Sequence, residues 1–278
     1  MDGRLQLRVQ RYGWDRASAR YEDLWREALA PATQGVLRLA RLQPGERVLD
    51  VACGTGLVTF AAAELVGPRG EVLGTDLSGE MVQAAQQRAP SALDAPVRFA
   101  RMDAEALDLP DGRFDVALCA LGLMYLPDPA RAVREMARVL RPGGRLVLAV
   151  WGERARCGWA PLFGIVDAEV ASDVCPLFFG LGREGSLARL CADAGLKAVA
   201  EQRIVDTLAY ADGDSACEAA LAGGPVALAW SRFGPAVRER VRQRYLAAIE
   251  PWRQGAGYAV PAEFVVVAAV KGAGSQDE

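Results

Sequence analysis

Short apolar runs alternate with helical patterns between residues 47 and 151. Strand-like runs occupy 48–52, 71–76, 97–102, 114–119 and 145–150, and helical patterns occupy 57–66, 78–88 and 129–140. Strands that alternate with helices in this way form a parallel sheet with helices on both faces. The alternation predicts a three-layer, doubly wound α/β fold, whose ligand site lies at the carboxyl ends of the strands.

The segments around this core complete one predicted domain of 278 residues. Amphipathic stretches at 17–30 and 33–42 predict two helices within an N-terminal helical lid, 1–45, that precedes the core, 46–151. Residues 152–256 are expected to hold insertions and cap helices, with one further strand near 196–210. The final strand is placed within 257–271, followed by a flexible tail at 272–278. The predicted sheet therefore has seven strands and is mostly parallel.

Composition limits the class of partner that the chain can bind and the cellular compartment in which we expect it. The net charge is −3 and the calculated pI is near 5.3, so the chain lacks the basic surplus of a nucleic-acid-binding protein. The longest apolar run, 264–270, is too short to span a bilayer, and the first residues show no signal-peptide pattern. The six cysteines include no C-x-x-C pair, and no metal site is predicted. We therefore expect a cytoplasmic protein with a small-molecule partner, and the sequence gives no indication of its oligomeric state.

Histidine is absent from the whole chain. This absence removes the most frequent general base and every Ser-His or Cys-His nucleophile pair. Catalysis must then use carboxylates, phenols, thiols, backbone groups or a cofactor that is already reactive. If a proton has to be removed, the candidate bases are Tyr12, Tyr21, Tyr125, Asp167 and Glu169, among which the sequence does not choose.

Three acidic residues follow three successive predicted strands. Asp50 ends the first strand just before a turn that contains Gly54 and Gly56, Asp76 ends the second, and Asp103 follows the third. Glycines in such a turn allow a ligand to approach the backbone, and a carboxylate at the position of Asp76 is suited to the hydroxyls of a ribose. Together these residues favour a nucleoside with a positively charged tail over a bare polyphosphate.

A dinucleotide-binding fold is the other interpretation of this glycine turn. Its fingerprint requires a third small residue at the position that Thr59 occupies here. The Gly-x-x-x-x-Gly-Lys-Ser/Thr phosphate loop is also missing from the sequence. Binding of a nicotinamide dinucleotide is therefore the minor alternative.

Several motifs in one order resemble the class I methyltransferases that use S-adenosylmethionine (SAM), above all their ubiquinone/menaquinone-biosynthesis type. They lie within about residues 45–151 and comprise 48–56, 74–78, Met81, 103–104, 109–110, 114–115 and 139–144. The resemblance implies the Rossmann-like methyltransferase fold, SAM as cofactor, and an antiparallel pair among the last strands.

By the same resemblance, Asp50 contacts the methionine ammonium of SAM, and the turn that includes Ala52, Gly54 and Gly56 lines the methionine. Asp76 binds the ribose. The remaining implied cofactor contacts are Leu77 and Met81 around the adenine, Asp103 and Ala104 at its polar edge, Cys119 near the methionine end, and Tyr21 in the lid.

Aromatic residues are frequent outside the matched core. Those expected to contact the acceptor are Trp14, Trp159, Phe178 and Trp230. They favour transfer of a methyl group to an O, N or C atom of a small, apolar or aromatic molecule. Two alternatives remain: an arsenite, metalloid or thiol S-methyltransferase that uses Cys157 and Cys175, and a protein that binds SAM without transferring its methyl group.

Overall fold

The computed structural model describes residues 3–170 and 178–273, and these ranges contain one mixed sheet. Five parallel strands form its first part. They are β1 (Arg47–Val51), β2 (Glu71–Asp76), β3 (Val97–Arg101), β4 (Phe114–Ala120) and β5 (Leu140–Trp151). The later strands are β6 (Leu196–Tyr210), the two-residue β7 (Arg253–Gln254) and β8 (Gly257–Lys271).

The strand order is β3-β2-β1-β4-β5-β8-β6, and β7 pairs only with β8. β8 runs antiparallel to both β5 and β6, which confirms an antiparallel pair among the last strands. After β1 the chain moves outward to β2 and β3, then returns to the other side of β1 with β4. Such a reversal opens a crevice beyond the carboxyl ends of the strands, here beyond β1 and β4.

The central strands of the sheet are buried on both faces because helices pack on both sides of them. Neighbouring residues of β1 belong to different core clusters, with Leu49 in one and Val48 in the other. This arrangement confirms the predicted three-layer fold. The helices after the first strand are α2 (Leu57–Val66), α3 (Gly79–Arg88), α4 (Pro129–Val139), α5 (Pro161–Val170), α6 (Ser186–Asp193), α7 (Gly213–Ala222), α8 (Ala227–Arg232) and α9 (Pro235–Ile249).

A single helix, α1 (Gly3–Ala40), replaces the two helices predicted before the sheet, so that prediction was wrong. Pro31 lies inside α1, where it removes one backbone hydrogen bond. The helix continues because its buried face continues: Trp25, Leu29, Ala32 and Val36 follow one another at helical spacing, each at most 4% exposed. Burial of this face outweighs the local cost of the proline.

The start of β5 also differs from its prediction at residue 145. The strand begins at Leu140, which pairs with Phe114 before the register shifts at Val116. A strand, unlike a helix, accepts Pro142 and two glycines next to an irregularity of this kind. The segment from 171 to 177, and the predicted tail from residue 274 onward, lie outside the described residues.

No helix within residues 3–170 and 178–273 is both long enough and apolar enough to cross a membrane. The division of the chain into a lid, a core, caps and a tail stays a prediction.

Candidate active site

The carboxyl end of β1 carries a buried carboxylate and a strongly bent turn. Asp50 is 1% exposed, and its Oδ2 accepts a 2.6 Å hydrogen bond from Thr59 Oγ1 in the first turn of α2. Beyond it, Ala52, Gly54 and Gly56 have φ values of 56°, 55° and 92°. The turn therefore folds back on itself between β1 and α2, which leaves the ends of β1 and β4 open to a ligand.

Asp50 has no cationic partner among the described residues that bond to it. Burial raises the pKa of its carboxyl to about 7, the Thr59 hydrogen bond lowers it in part, and the nearby charge of Asp76 raises it further. A cationic group of a ligand would lower the pKa of Asp50, since it would stabilise the charged form.

Asp76, at the end of β2, is held in a fixed orientation by two backbone groups. Its Oδ2 accepts from the Gly54 N–H and its Oδ1 from the Ser78 N–H, both at 2.9 Å. Burial raises the pKa of this carboxyl to about 6, the two hydrogen bonds oppose the shift, and Asp15 on α1 adds to it by repulsion. A carboxylate oxygen accepts more than one hydrogen bond, so both oxygens can still receive the hydroxyls of a ligand.

A cleft, termed the main cleft, opens in front of these strand ends. The strand-end side contributes Asp76, Leu77, Met81, Met102, Asp103 and Ala104. The opposite side is formed by residues of α1, namely Leu7, Gln10, Trp14 and Tyr21.

Two smaller cavities adjoin the main cleft. The side cavity contains Asp50, Gly54 and Thr55 in its wall. The aromatic chamber has six rings in its wall, those of Trp14, Tyr21, Trp25, Tyr125, Trp151 and Trp159.

Tyr21 and Leu121 line the main cleft, the side cavity and the aromatic chamber alike. Leu121 follows β4 and has a φ of 61°, a conformation that is rare for a branched side chain. The three cavities therefore meet at one junction, which consists of a phenol from α1 and a leucine from the end of β4.

The segment that carries the strand-end acids is similar to known proteins. Residues 49–148 match the family model described as "Methyltransferase domain". A ubiquinone/menaquinone biosynthesis C-methyltransferase, UbiE, of Ectopseudomonas mendocina is 42% identical over 113 residues, which are 40% of this chain and 44% of the relative. A demethylmenaquinone methyltransferase of a Geobacillus strain is 34% identical over 139 residues, 50% of this chain and 56% of the relative.

Residues 49–148 therefore resemble the methyltransferase domains that use SAM. The chain spans about half the length of these curated relatives. The similarity in fold extends further: the YcgJ protein of Bacillus subtilis superimposes with a TM-score of 0.62 over 88% of this chain and 99% of its own, at 22% identity. That likeness shows the fold.

Nine of the eleven predicted cofactor residues border at least one of these three cavities. Seven line the main cleft, alone or together with the side cavity: Ala52, Gly54, Asp76, Leu77, Met81, Asp103 and Ala104. Asp50 lines the side cavity, and Tyr21 lines all three cavities.

Gly56 and Cys119 line none of these three cavities, and their contact with the cofactor stays a prediction. A Cβ at Gly56 would lie 2.7 Å from the Phe60 ring, so this glycine makes room for α2. Cys119 is fully buried and lies beside Gly122, while its neighbour Ala120 faces the cleft. Alternate residues of a strand point to opposite faces, which explains the difference.

The four predicted acceptor residues are divided by the structure. Trp14 and Trp159 line the aromatic chamber. Phe178 lines none of the three cavities and packs against Trp159 and Tyr125 instead, at centroid distances of 5.4 and 5.3 Å. Trp230 also lies away from them and contacts Phe233 and Arg238. Trp159 and Phe178 are buried, whereas Trp14 and Trp230 are partly exposed, so aromatic character alone did not predict which rings face a cavity.

The candidate bases and thiols lie mostly outside the junction. Tyr21 and Tyr125 line the main cleft, whereas Glu169 is paired with Arg240 at 2.6 Å and Tyr12 is 44% exposed. The Cys157 thiol is buried, which raises its pKa to about 11, and it lines none of the three cavities. Cys175 lies outside the described residues, so the Cys157–Cys175 pair stays a prediction.

Sequence reasoning missed three residues of the site. Thr59 had been used only to argue against a dinucleotide, although a hydroxyl nine residues after a strand-end acid is a possible partner for it. Thr55 lies between the two glycines of the turn, and its buried Oγ1 has no partner. Leu121 gave no signal, because its position depends on the backbone after β4.

Proposed function

We propose that this chain transfers a methyl group from SAM to a small, apolar, neutral acceptor that occupies the aromatic chamber. The observation that carries the proposal is the junction at Tyr21 and Leu121. There the main cleft and the side cavity, which contain the strand-end acids, meet a chamber walled by rings. Two reactants in these spaces would face each other at the junction.

The residues present fit SAM in shape and charge. Asp76 would accept the ribose hydroxyls, Leu77 and Met81 would enclose the adenine, and Asp103 with Ala104 would bind its polar edge. In the side cavity, the buried Asp50 carboxylate would face the methionine ammonium, and the unpartnered Thr55 hydroxyl would find a polar partner there. Burial disfavours the charged form of Asp50, and an oppositely charged group close to it would stabilise that form.

Positioning accounts for the catalysis that these residues can provide. SAM supplies a methyl group that its sulfonium makes electrophilic. Burial, together with the charge of Asp76, raises the pKa of the Tyr21 phenol, which therefore stays protonated and orients groups at the junction without acting as a base. Holding two reactants in line lowers the barrier to transfer substantially, and this requires no proton movement.

The cofactor side and the acceptor side have different origins in the chain. The acids and the glycine turn lie within the matched residues 49–148, whereas Trp14, Trp25 and Trp159 lie outside them. The relatives are named for ubiquinone and menaquinone biosynthesis. A hydroquinone ring is accordingly the first acceptor to assay, and C-methylation the first chemistry.

Calorimetric titration tests the cofactor assignment. Asp76→Ala is expected to weaken the binding of S-adenosylhomocysteine, the product form of SAM, by more than about tenfold, or 1.4 kcal/mol, because charge-assisted hydrogen bonds are lost. Asp94→Ala, in an exposed loop, is the matched control and should bind like the unaltered protein. Equal affinity of the two variants would refute the role of Asp76.

Product detection separates methyl transfer from mere cofactor binding. S-adenosylhomocysteine should accumulate when the protein is incubated with SAM and a pool of hydroquinones, phenols and amines. Tight cofactor binding with no product from any such pool would favour the alternative, a protein that binds SAM without transferring its methyl group.

A further inference from the structure

Two tryptophans of the aromatic chamber carry hydrogen-bond donors that have no partner. Trp25 and Trp159 are 4% and 2% exposed, and the Nε1 atoms of both indoles are buried and unpaired. Buried polar groups in proteins are nearly always hydrogen-bonded, and an unpaired one costs free energy. Two such donors in the wall of one cavity therefore require an explanation.

The two donors belong to neighbouring rings of the same wall. The ring centroids of Trp25 and Trp159 are 6.3 Å apart. The Trp151 centroid lies 6.2 Å from that of Trp25 and 4.8 Å from that of Trp159. The Trp25 nitrogen lies beside the turn that closes the chamber: a Cβ at Gly223 would come within 3.0 Å of it, and the adjacent Gly224 lines the chamber. Both rings thus line the space that an occupant of the chamber would fill.

The chemistry of the wall defines the occupant. An indole N–H only donates, so its partner must be a hydrogen-bond acceptor. None of the described residues that line the chamber carries a charge, which disfavours an ionic group because its desolvation would be uncompensated. Ring faces and edges on most sides favour a flat, apolar molecule.

We propose that the aromatic chamber binds a neutral, planar ring whose carbonyl or ether oxygen accepts hydrogen bonds from Trp25 and Trp159. This inference rests on the proposed function, since it names the class of methyl acceptor for the same site. Tyr21 and Leu121 then hold the opposite edge of the ring at the junction with the main cleft. Recognition of the oxygen orients the ring and so selects which of its atoms faces the methyl group.

A matched pair of probes tests the oxygen. 1-Tetralone and tetralin have nearly the same shape, and only the ketone carries an acceptor. Titrated into protein saturated with S-adenosylhomocysteine, the ketone is expected to bind at least about tenfold more tightly, as two modest hydrogen bonds would give. In ¹⁵N spectra, the indole N–H signals of Trp25 and Trp159 should shift with the ketone and not with tetralin. Equal affinities, or no selective shift of either signal, would overturn the proposal.

Conservative variants locate the effect. Trp25→Phe and Trp159→Phe keep an aromatic ring and remove the donor, so the preference for the ketone should fall to about threefold or less in each single variant and vanish when both are changed. Trp230→Phe, outside the chamber, is the control and should keep the full preference. If a variant does not fold, the spectra of the unaltered protein decide the question. An unchanged preference in folded variants would overturn the assignment.

The same titrations keep this inference apart from the proposed function. Binding of S-adenosylhomocysteine without any ketone preference would overturn the role of the two indoles and leave the methyltransferase proposal standing. A ketone preference in a protein that does not bind S-adenosylhomocysteine would support the chamber as a site for this class of ligand and overturn methyl transfer.

Discussion

Ser78 Oγ donates a 2.6 Å hydrogen bond to Asp15 Oδ1, and this bond joins α1 to the N-terminal end of α3. The same hydroxyl caps α3 by accepting from the Met81 N–H at 3.1 Å, and the Ser78 backbone N–H bonds to Asp76. One serine thus links the helix that covers the main cleft with the carboxylate at the end of β2. This hydrogen bond is one of the contacts that hold α1 over the cleft.

Asp15→Ala is expected to loosen the first half of α1, whereas Asp15→Asn is not, because asparagine keeps an oxygen that can accept from Ser78. One lost hydrogen bond should raise amide hydrogen exchange within residues 3–20 by about two- to tenfold in the alanine variant. Mass-spectrometric exchange measurements on both variants check this. Identical exchange in the two variants and the unaltered protein would show that the bond does not restrain α1.

Cofactor affinity should depend on pH through Asp50. The pKa of this carboxyl is about 7, and only its charged form attracts a cationic group. Below pH 7 binding must therefore release a proton, and affinity for S-adenosylhomocysteine should fall by up to about tenfold per pH unit. Calorimetry between pH 5.5 and 8.5 measures the profile.

Thr59→Val serves to assign that profile to Asp50. The Thr59 hydrogen bond lowers the pKa of Asp50, so its removal should shift the midpoint of the profile to higher pH. Asp76 also titrates in this range, with a pKa of about 6, but does not contact Thr59. A midpoint that is unchanged in Thr59→Val would assign the dependence to another group.

Asp50 should also make the free protein less stable at alkaline pH. Its pKa is higher in the folded chain than its ordinary value of 3.8, so the folded state binds the extra proton. The resulting stabilisation is complete below about pH 4 and is lost as the pH rises through 7. Asp50→Asn should therefore raise the free energy of unfolding at pH 8 by at least about 1 kcal/mol and have a smaller effect at pH 5. Urea denaturation at both pH values measures this, and equal effects would contradict it.

The acids of the site could be predicted from the sequence because their positions follow from strand ends alone. Parallel strands of one sheet end at the same edge, so Asp50, Asp76 and Asp103 had to converge. Their partners could not be predicted in the same way. Asp15 contacts Ser78 across 63 positions in sequence, and that contact depends on how α1 packs.

Two local details also could not be predicted from the sequence: which of two neighbouring strand residues faces the cleft, and whether a helix continues through a proline. In β4, Cys119 and Ala120 both belong to an apolar run, and only the pleat decides that Ala120 faces the cleft. In α1, local propensity predicts a break near Pro31, whereas the tertiary contacts of Leu29 and Ala32 keep the helix intact. Tertiary packing, which the sequence pattern does not contain, decided both cases.

Gly122→Ala should disturb the junction directly. A Cβ at this position would lie 2.4 Å from the Ala52 Cβ and 3.1 Å from Cys119 Sγ, and neither atom is the end of a flexible chain. We expect a loss of about 1–3 kcal/mol in stability, as for other overpacked sites, together with weaker cofactor binding, because Ala52 lines the main cleft. Gly164→Ala in α5 is the control: its added methyl group meets open space, and stability should rise by up to about 1 kcal/mol. Thermal and urea unfolding measure both variants. Unchanged stability in Gly122→Ala would contradict this prediction.

Glu263 on β8 should matter more to stability through Arg203 than through Arg156. The glutamate is 1% exposed, and its Oε2 accepts from Arg203 Nη1 at 3.0 Å. Arg156 Nη1 approaches the other oxygen at 3.3 Å without hydrogen-bond geometry, and its side chain is 60% exposed. Arg203→Met should then cost about 3 kcal/mol, because it leaves the buried charge without its hydrogen-bonded cation and with only the Glu153 N–H donating to Oε2, at 3.2 Å.

Arg156→Met is the matched control and should cost no more than about 1 kcal/mol, as for an exposed pair. Adding Glu263→Gln to Arg203→Met should restore part of the lost stability, because the unpaired charge is removed along with its partner. Urea denaturation of the single and double variants at one pH measures all three values. Similar losses of stability in Arg203→Met and Arg156→Met would contradict this prediction, and so would a double variant that recovers no stability. Either result would mean that solvent reaches Glu263 and that Arg203 does not act by stabilising the charge of this carboxylate.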